Sequence, residues 1–193
     1  LQVAFNATLF SPNGDGIQDT VNYAVTLELP SQHTASENLN QFIQVSHELQ
    51  SSSGNVLYSA KQDVKPGLYS YTYDGSSAYG TMLSDGTYVW LSGATDRYGN
   101  TSTTVTSNLT LDTLAPAAAV FYEHAAQTNQ STINITATGE AGADALLTDG
   151  AGVTYSNTVD SAGNLYFTGV ALSEGSNTFN VVLPDTAGNR SVT

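Results

Sequence analysis

The residues with the best spacing for chemistry lie near the amino end, in Ser11-Pro12-Asn13-Gly14-Asp15-Gly16-Ile17-Gln18-Asp19. Oxygen-bearing side chains fall at alternate positions, Ser11, Asn13 and Asp15, and again at Asp19, with a glycine after the central Asp. This matches the first nine positions of a calcium loop. There, positions 1, 3, 5 and 9 give side-chain oxygens, position 7 gives a carbonyl, and a glycine at 6 allows the sharp bend. Asn13, Asp15, the Ile17 carbonyl and Asp19 are the candidate ligands of a structural calcium ion. The bidentate Glu that would close the loop at position 12 is replaced by Asn22. Other loops must therefore complete the shell, and Asp74, Asp85 or Asp112 are the candidates. The same residues also make a plain Pro-Asn-Gly-Asp-Gly turn between strands, which needs no metal. Both readings stand at this level.

Other chemistry finds less support. A serine hydrolase needs a nucleophile, a base and an orienting acid. The H-G-T-H and G-T-S-M-A motifs of subtilisin-like proteases are absent, and His33, His47 and His124 stand apart from such neighbours. No H-x-H or H-x-x-x-H spacing supports zinc. Acids are plentiful, but nothing marks a glycosidase pair, and there is no glycine-rich phosphate loop. No cysteine is present, which excludes disulfides, thiolate metal sites and a cysteine nucleophile. A Lys–Asn isopeptide needs a buried lysine. Lys61 and Lys65 flank polar residues, and the chain has no lysine beyond them. Catalysis is not expected from this chain. Tyr69, Tyr71 and Tyr73 form a stripe on one strand face, which reads either as a sugar or peptide platform or as ordinary packing across a sheet.

The elements that must position these residues read as strands. Val21, Tyr23, Val25, Leu27 and Leu29 alternate with polar residues, the period of a half-buried antiparallel strand, and Pro30 stops it. Ser31 to Asn40 reads as a surface loop carrying His33. Phe42, Val45 and Leu49 have some helical spacing, yet the β-branched residues around them favour a strand. Gln41–Gln50 and Asn55–Ala60 read as a hairpin across Ser51-Ser52-Ser53-Gly54-Asn55. Further strands are expected at Val3–Phe10, Leu68–Tyr73, Tyr88–Ala94 and Thr101–Leu111. Six more are expected after residue 117: Ala118–Tyr122, Thr132–Thr138, Ala143–Thr148, Val153–Thr158, Asn164–Gly169 and Thr178–Leu183. The pattern D-x-x-G-N recurs at Asp96, Asp160 and Asp185, and is read as a tight connection between strands. Short strands with turns every 8–12 residues indicate β-sandwiches. The expected fold is all-β: two tandem antiparallel sandwiches, residues 1–115 and 116–193, the first with about seven strands, joined near Asp112–Pro116.

Ordered landmarks carry a resemblance. Phe10 to Asp19 resembles an F-S-P-N-G-D-G-x-x-D opening. Tyr73-Asp74-Gly75, Leu83 to Tyr88, Asp96 to Asn100 and Leu111 to Pro116 resemble W-D-G, (L/V)-x-D-G-x-Y, D-x-x-G-N and V-D-T-x-A-P. In this order they are similar to the fibronectin-III-like domain of Gram-positive cell-envelope subtilisin-like proteases, the lactocepin and C5a-peptidase group, with Tyr73 in place of the usual Trp. Glu174 to Phe179, followed by Asp185 to Asn189, resembles the end of bacterial Ig-like domains. The resemblance implies an extracellular, cell-wall-associated accessory pair. It would act as a spacer between a catalytic domain of the same polypeptide and the wall, and would help to position protein substrates. The contrasting expectation is an adhesin fragment that binds host glycan or matrix protein, for which Tyr69, Tyr71, Tyr73 and Trp90 would have to form an open patch.

Composition agrees with a solvated module. With 4 basic against 17 acidic residues the formal net charge is −13. Binding to nucleic acid, which needs clustered Lys and Arg, is not expected. No apolar run approaches the ~18 residues of a membrane span, so no membrane insertion is expected. The sequence begins within one strand-like pattern and stops within another, and is read as part of a longer secreted protein.

Overall fold

A computed structural model of the chain describes residues 1–28, 42–124 and 126–192. The expectations for Leu29, Pro30, the 31–40 loop and His33 lie outside the described residues. Among the described residues every regular element is a strand. They fall into two compact units, Leu1–Thr113 and Leu114–Thr193.

The first unit contains β1 (Gln2–Phe5), β2 (Leu9–Phe10), β3 (Val21–Leu27), β4 (Ile43–Gln50), β5 (Val56–Val64), β6 (Gly67–Tyr73), β7 (Gly86–Asp96) and β8 (Val105–Leu111). One sheet has the order β1-β3-β6 and the other β2-β8-β7-β4-β5. Among the described residues eight strands are found where about seven were expected, because the first alternating stretch splits. β1 pairs with β3, whereas β2 crosses to the other sheet and runs parallel to β8, the one departure from antiparallel pairing among the described residues. The β-branched and aromatic alternation decides the strand faces. Val21, Tyr23, Val25 and Leu27 are buried from β3, and Ile43, Val45, His47 and Leu49 from β4. Phe42 lies outside β4 and is exposed, so the helical spacing it lent to this stretch has no structural consequence. β7 contributes Tyr88, Trp90, Ser92 and Ala94, and β8 contributes Leu109 and Leu111.

The second unit contains β9 (Val120–Phe121), β10 (Thr132–Thr138), β11 (Asp144–Asp149), β12 (Thr154–Thr158), β13 (Asn164–Ala171) and β14 (Phe179–Val182). Its sheets have the orders β9-β10-β13 and β12-β11-β14, all antiparallel. Ile135, Ala137, Leu147, Leu165, Phe167, Val181 and Leu183 lie in its core.

The D-x-x-G-N segments all close their turns in one way, at Asp160 between strands of different sheets. The Asp96 amide donates to the Asn100 carbonyl at 2.9 Å, Gly99 N–H donates back to the Asp96 carbonyl, and Asp96 Oδ1 accepts the amides of Tyr98 and Asn100. Asp160 and Asp185 repeat the backbone pair, and each side chain accepts the amide of the Asn four residues on. Asp149 does the same toward Val153, so a fourth copy exists where the last residue is not Asn. Ser51 and Ser77 supply hydroxyls in the acceptor role, to Asn55 and Thr81. The glycine of each turn has a positive φ, +86° at Gly99, which is why glycine occupies that place.

Candidate functional site

The Ser11–Asp19 loop closes on itself. Ser11 N–H donates to the Gln18 carbonyl at 2.9 Å, and Gln18 holds a left-handed φ of 51° to make that bend. Asp19 accepts from Gly14 N–H through Oδ1 and from Gly16 N–H through Oδ2, both at 2.7 Å. Asp15 Oδ1 accepts from Ile17 N–H at 2.7 Å, and Asn13 Oδ1 accepts from Asp15 N–H at 2.9 Å. The side-chain oxygens singled out by spacing therefore do meet in one loop, and they face its own amides. Asp74 Oδ1 accepts from Ser76 N–H at 3.0 Å. Asp85 Oδ1 accepts from the amide and hydroxyl of Thr113, at 2.9 and 2.8 Å. Among the described residues no three His, Asp or Glu side chains gather as a metal-binding group. Calcium takes six to eight oxygens. The geometry gives a partial donor set in the loop and does not bring Asp74 or Asp85 to complete it as a cluster.

Pro12 anchors the loop to the body of the unit. It is buried, and a Cβ built on Gly75 would lie 2.9 Å from its Cγ, 3.1 Å from Met82 Sδ and 3.2 Å from Leu111 Cδ2. Asp74-Gly75 and the Ser-Pro opening are thus matched surfaces. The glycine there is needed both for close approach and for a φ of +83°.

The tyrosine stripe and Trp90 face inward. Trp90 is 1% exposed and Tyr73 is 3%, while Tyr69 and Tyr71 are half-buried and packed on the core. Trp90 meets Phe5, Tyr23, Tyr58 and Tyr73 at ring-centroid distances of 5.0–5.9 Å. Burial raises the Tyr73 and Tyr23 phenols far above their ordinary value, with neighbouring charged and phenolic groups adding to the rise. No open aromatic platform exists on this face.

Sequence reasoning missed one polar constellation, which lies in the middle of this box. His47 Nδ1 is 2.9 Å from Ser92 Oγ, and the Trp90 indole N–H donates to the same oxygen at 2.9 Å. Ser92 accepts from the indole, so its hydroxyl is free to donate to Nδ1. That arrangement puts the imidazole proton on Nε2, which is buried without a hydrogen-bond partner, as is the Tyr71 hydroxyl. The alternation that buries Val45 and Leu49 was the available signal for His47, and the same alternation along β7 marks Ser92. A serine beside an imidazole suggests a nucleophile and its base. Three observations exclude that use. Ser92 is 0% exposed and His47 is 4%, so no substrate reaches them. No carboxylate orients the ring. Desolvation lowers the His47 pKa from 6.5 to about 4, far from a working base. His124 takes another role, its Nε2 accepting the Thr136 amide at 3.2 Å.

The second unit has a groove of about 890 Å³ whose apolar lining includes Phe121, Ile133, Ile135 and Phe179. Polar residues, among them Glu174 and His124, also line it.

No family model matches the chain, and no curated protein matches it in sequence. Solved structures do match in fold. Fibronectin(III)-like modules of CbhA from Clostridium thermocellum superpose with a TM-score of 0.52 at 12% identity, covering 99% of this chain and 90% of theirs. The BSP domain of a biofilm-associated protein gives a TM-score of 0.33 at 14% identity, covering 90% of this chain and 26% of that one. The FN1–FN3 domains of chicken CNTN1 give 0.41 at 10% identity, covering 90% of this chain and 59% of that one. At such identities the CbhA likeness speaks to architecture, and it makes the fold fibronectin-III-like.

Proposed function

We propose that this chain is a non-catalytic, extracellular accessory pair that serves as a spacer in a cell-wall-associated subtilisin-like protease. Its nearest partners are then the catalytic and neighbouring domains of the same polypeptide. One observation carries the choice against an adhesin: the aromatic residues that would form a ligand platform are spent on the core, Trp90 and Tyr73 almost wholly so. The attachment to a protease rests on the motif resemblance alone. Mass spectrometry of intact envelope proteins bearing this sequence tests it. The expected result is one polypeptide that also carries a subtilisin-like catalytic domain. A parent without protease sequence would refute the assignment, and saturable binding of the isolated chain to a glycan array or matrix proteins would favour the adhesin.

Within that role the Ser11–Asp19 loop is a structural staple. Its carboxylates accept hydrogen bonds from the loop's own amides, and its Pro12 packs closely on Gly75. Calcium then adds little, because the loop offers a partial donor set and, among the described residues, no three His, Asp or Glu side chains gather to complete it. A ligand that binds only the folded form raises its melting temperature. Melting the chain in roughly millimolar calcium, the range of extracellular modules, and again in chelator is expected to give the same curve. A rise of several degrees with calcium would restore the metal reading.

A further inference from the structure

Asn13 is the one asparagine of the sequence that is followed by glycine. An asparagine can lose its side-chain amide to its own backbone. The nitrogen of the next residue attacks Cγ, a succinimide ring closes, and ammonia leaves. Both reactants belong to one short piece of chain, so positioning and proton transfer set the rate. The attacking nitrogen must be uncrowded and must give up its proton. The side-chain oxygen must carry the charge that develops, and water must reach the ring.

The Ser11–Asp19 loop meets each of these needs. Gly14 has no side chain, and nothing lies within 4 Å of where a Cβ would stand. Its N–H, the proton that has to leave, donates to Asp19 Oδ1 at 2.7 Å. A carboxylate at that distance is placed as a general base. Asn13 Oδ1 gains negative charge as the nitrogen adds to Cγ, and it accepts the Asp15 N–H at 2.9 Å. That amide stands where an oxyanion donor would. Asn13 Nδ2 donates to Asp15 Oδ2 at 3.4 Å, which keeps the side-chain oxygen turned toward the Asp15 N–H. Asn13, Gly14 and Asp15 are exposed, so water has access. The hairpin-type turns offer a contrast. Asn100, Asn164 and Asn189 are followed by Thr101, Leu165 and Arg190, and the Asp of each turn accepts the asparagine's own N–H, not the one that would attack.

We propose that the loop modifies itself at Asn13. Asp19 takes the Gly14 proton as the N–Cγ bond forms, and the Asp15 N–H holds the oxyanion on Oδ1. The Cγ–Nδ2 bond then breaks, and Nδ2 leaves as ammonia with a proton from solvent. Water opens the ring at either carbonyl, giving aspartate or isoaspartate, and Asp19 returns its proton to solvent. The sum is one amide and one water converted to one carboxylate and one ammonium. Closure removes the Gly14 N–H and with it the bond to Asp19. Isoaspartate adds a methylene to the backbone and displaces Gly14 from its place beside that carboxylate.

The test incubates the full chain at neutral pH beside a peptide of residues 9–22, the unfolded reference. Mass spectrometry of digests follows the exchange of amide for carboxyl at Asn13, and chromatography separates isoaspartate from aspartate. The folded chain is expected to react about tenfold faster than the peptide or more, where a positioned acid or base contributes ~10²–10⁴-fold. Its rate should level off once Asp19 is ionised, whereas the peptide rate climbs with hydroxide. Asp19→Asn should bring the folded chain down to the peptide rate, and Asn13→Gln should abolish the product. The pH profile of the unaltered chain needs no variant to fold. The proposal is overturned if the folded chain reacts no faster than the peptide, if its rate climbs with hydroxide as the peptide's does, or if Asp19→Asn folds and reacts at the original rate.

Discussion

The first unit fills its core with rings and the second with aliphatic side chains, although both have one antiparallel sheet of three strands in the same chain order, β1-β3-β6 and β9-β10-β13. Tyr23, Tyr73, Tyr88 and Trp90 lie buried in the first with His47 among them, whereas the second relies on Leu147, Leu165, Leu183, Val170 and Ala137 around a single buried ring, Phe167. The sandwich plan therefore comes from alternation and turn chemistry, which the units share, and not from any one packing arrangement. Among the described residues the ring-filled unit has sheets of three and five strands, and the aliphatic unit two sheets of three.

The largest expected effect attacks the ring core. Trp90→Ala should cost about 3–5 kcal/mol, the range for deleting a fully buried large aromatic side chain. Phe179→Ala, which stands as far before the Asp185 turn as Trp90 stands before the Asp96 turn, should cost about 1–2 kcal/mol, because that ring is only partly buried against the core. Trp90 is the sole tryptophan, so its fluorescence reports the first unit alone, and chemical denaturation followed by fluorescence and by circular dichroism separates the two. Equal losses would break the comparison.

Next comes the seat of the amino-terminal loop. Gly75→Ala must accept both a positive φ and a contact of 2.9 Å with Pro12, so a loss of about 2–3 kcal/mol is expected. Gly99→Ala meets nothing within 4 Å and pays only for its φ of +86°, about 1 kcal/mol. Denaturant midpoints of the two variants check the difference. If they matched, the Pro12 contact would carry no weight and the loop would not be anchored there.

These positions show what could be read in advance. Alternation identified β3, β4 and β10 almost to the residue, because a strand half-buried in a sheet writes its period directly into the sequence. The loop acids were legible as a cluster for the same reason that they accept the amides of Gly14, Gly16 and Ile17: alternate oxygens suit both an ion and an Asx-type turn. The His47–Ser92 pair was not legible, since its members come from neighbouring strands and meet only through the β4–β7 register, His47 opposite Ser92. The split of the first strand was hidden because the crossing falls at Asn6–Thr8, where polar residues read as continued alternation.

The buried imidazole gives a pH test specific to the first unit. Three phenols and an indole surround it: Tyr23 from β3, Tyr71 from β6, Trp90 from β7 and, beyond the indole, Tyr58 from β5. With a folded pKa near 4 against 6.5, the unfolded chain binds the proton more readily between those values. Stability is therefore complete above about pH 6.5 and falls as pH drops toward 4, by about 2 kcal/mol once residual solvent near the ring is allowed for. His47→Gln should remove this slope, and the second unit, which buries no histidine among its described residues, should not show it. A slope that survives the substitution would assign the loss to carboxylates.

The smallest effects should be common to both units, since the hairpin turns are. Asp185 receives the amide and the side-chain nitrogen of Asn189, each at 2.8 Å, so Asp185→Ala removes two acceptors and should cost about 1 kcal/mol. Asp185→Ser should recover most of that, because Ser51 already fills the same role at Asn55 with a hydroxyl. Asp96→Ala should act in the same direction on the first unit. There the Asn100 side chain and the turn amides hold the Asp96 carboxyl below its ordinary pKa, so its share of stability is lost only at more acidic pH than the His47 window. Thermal melts of the Ala and Ser variants at neutral pH decide the matter. A serine no better than alanine would mean that the turn depends on carboxylate charge, and the likeness drawn between the Ser51 and Asp185 hairpins would fail.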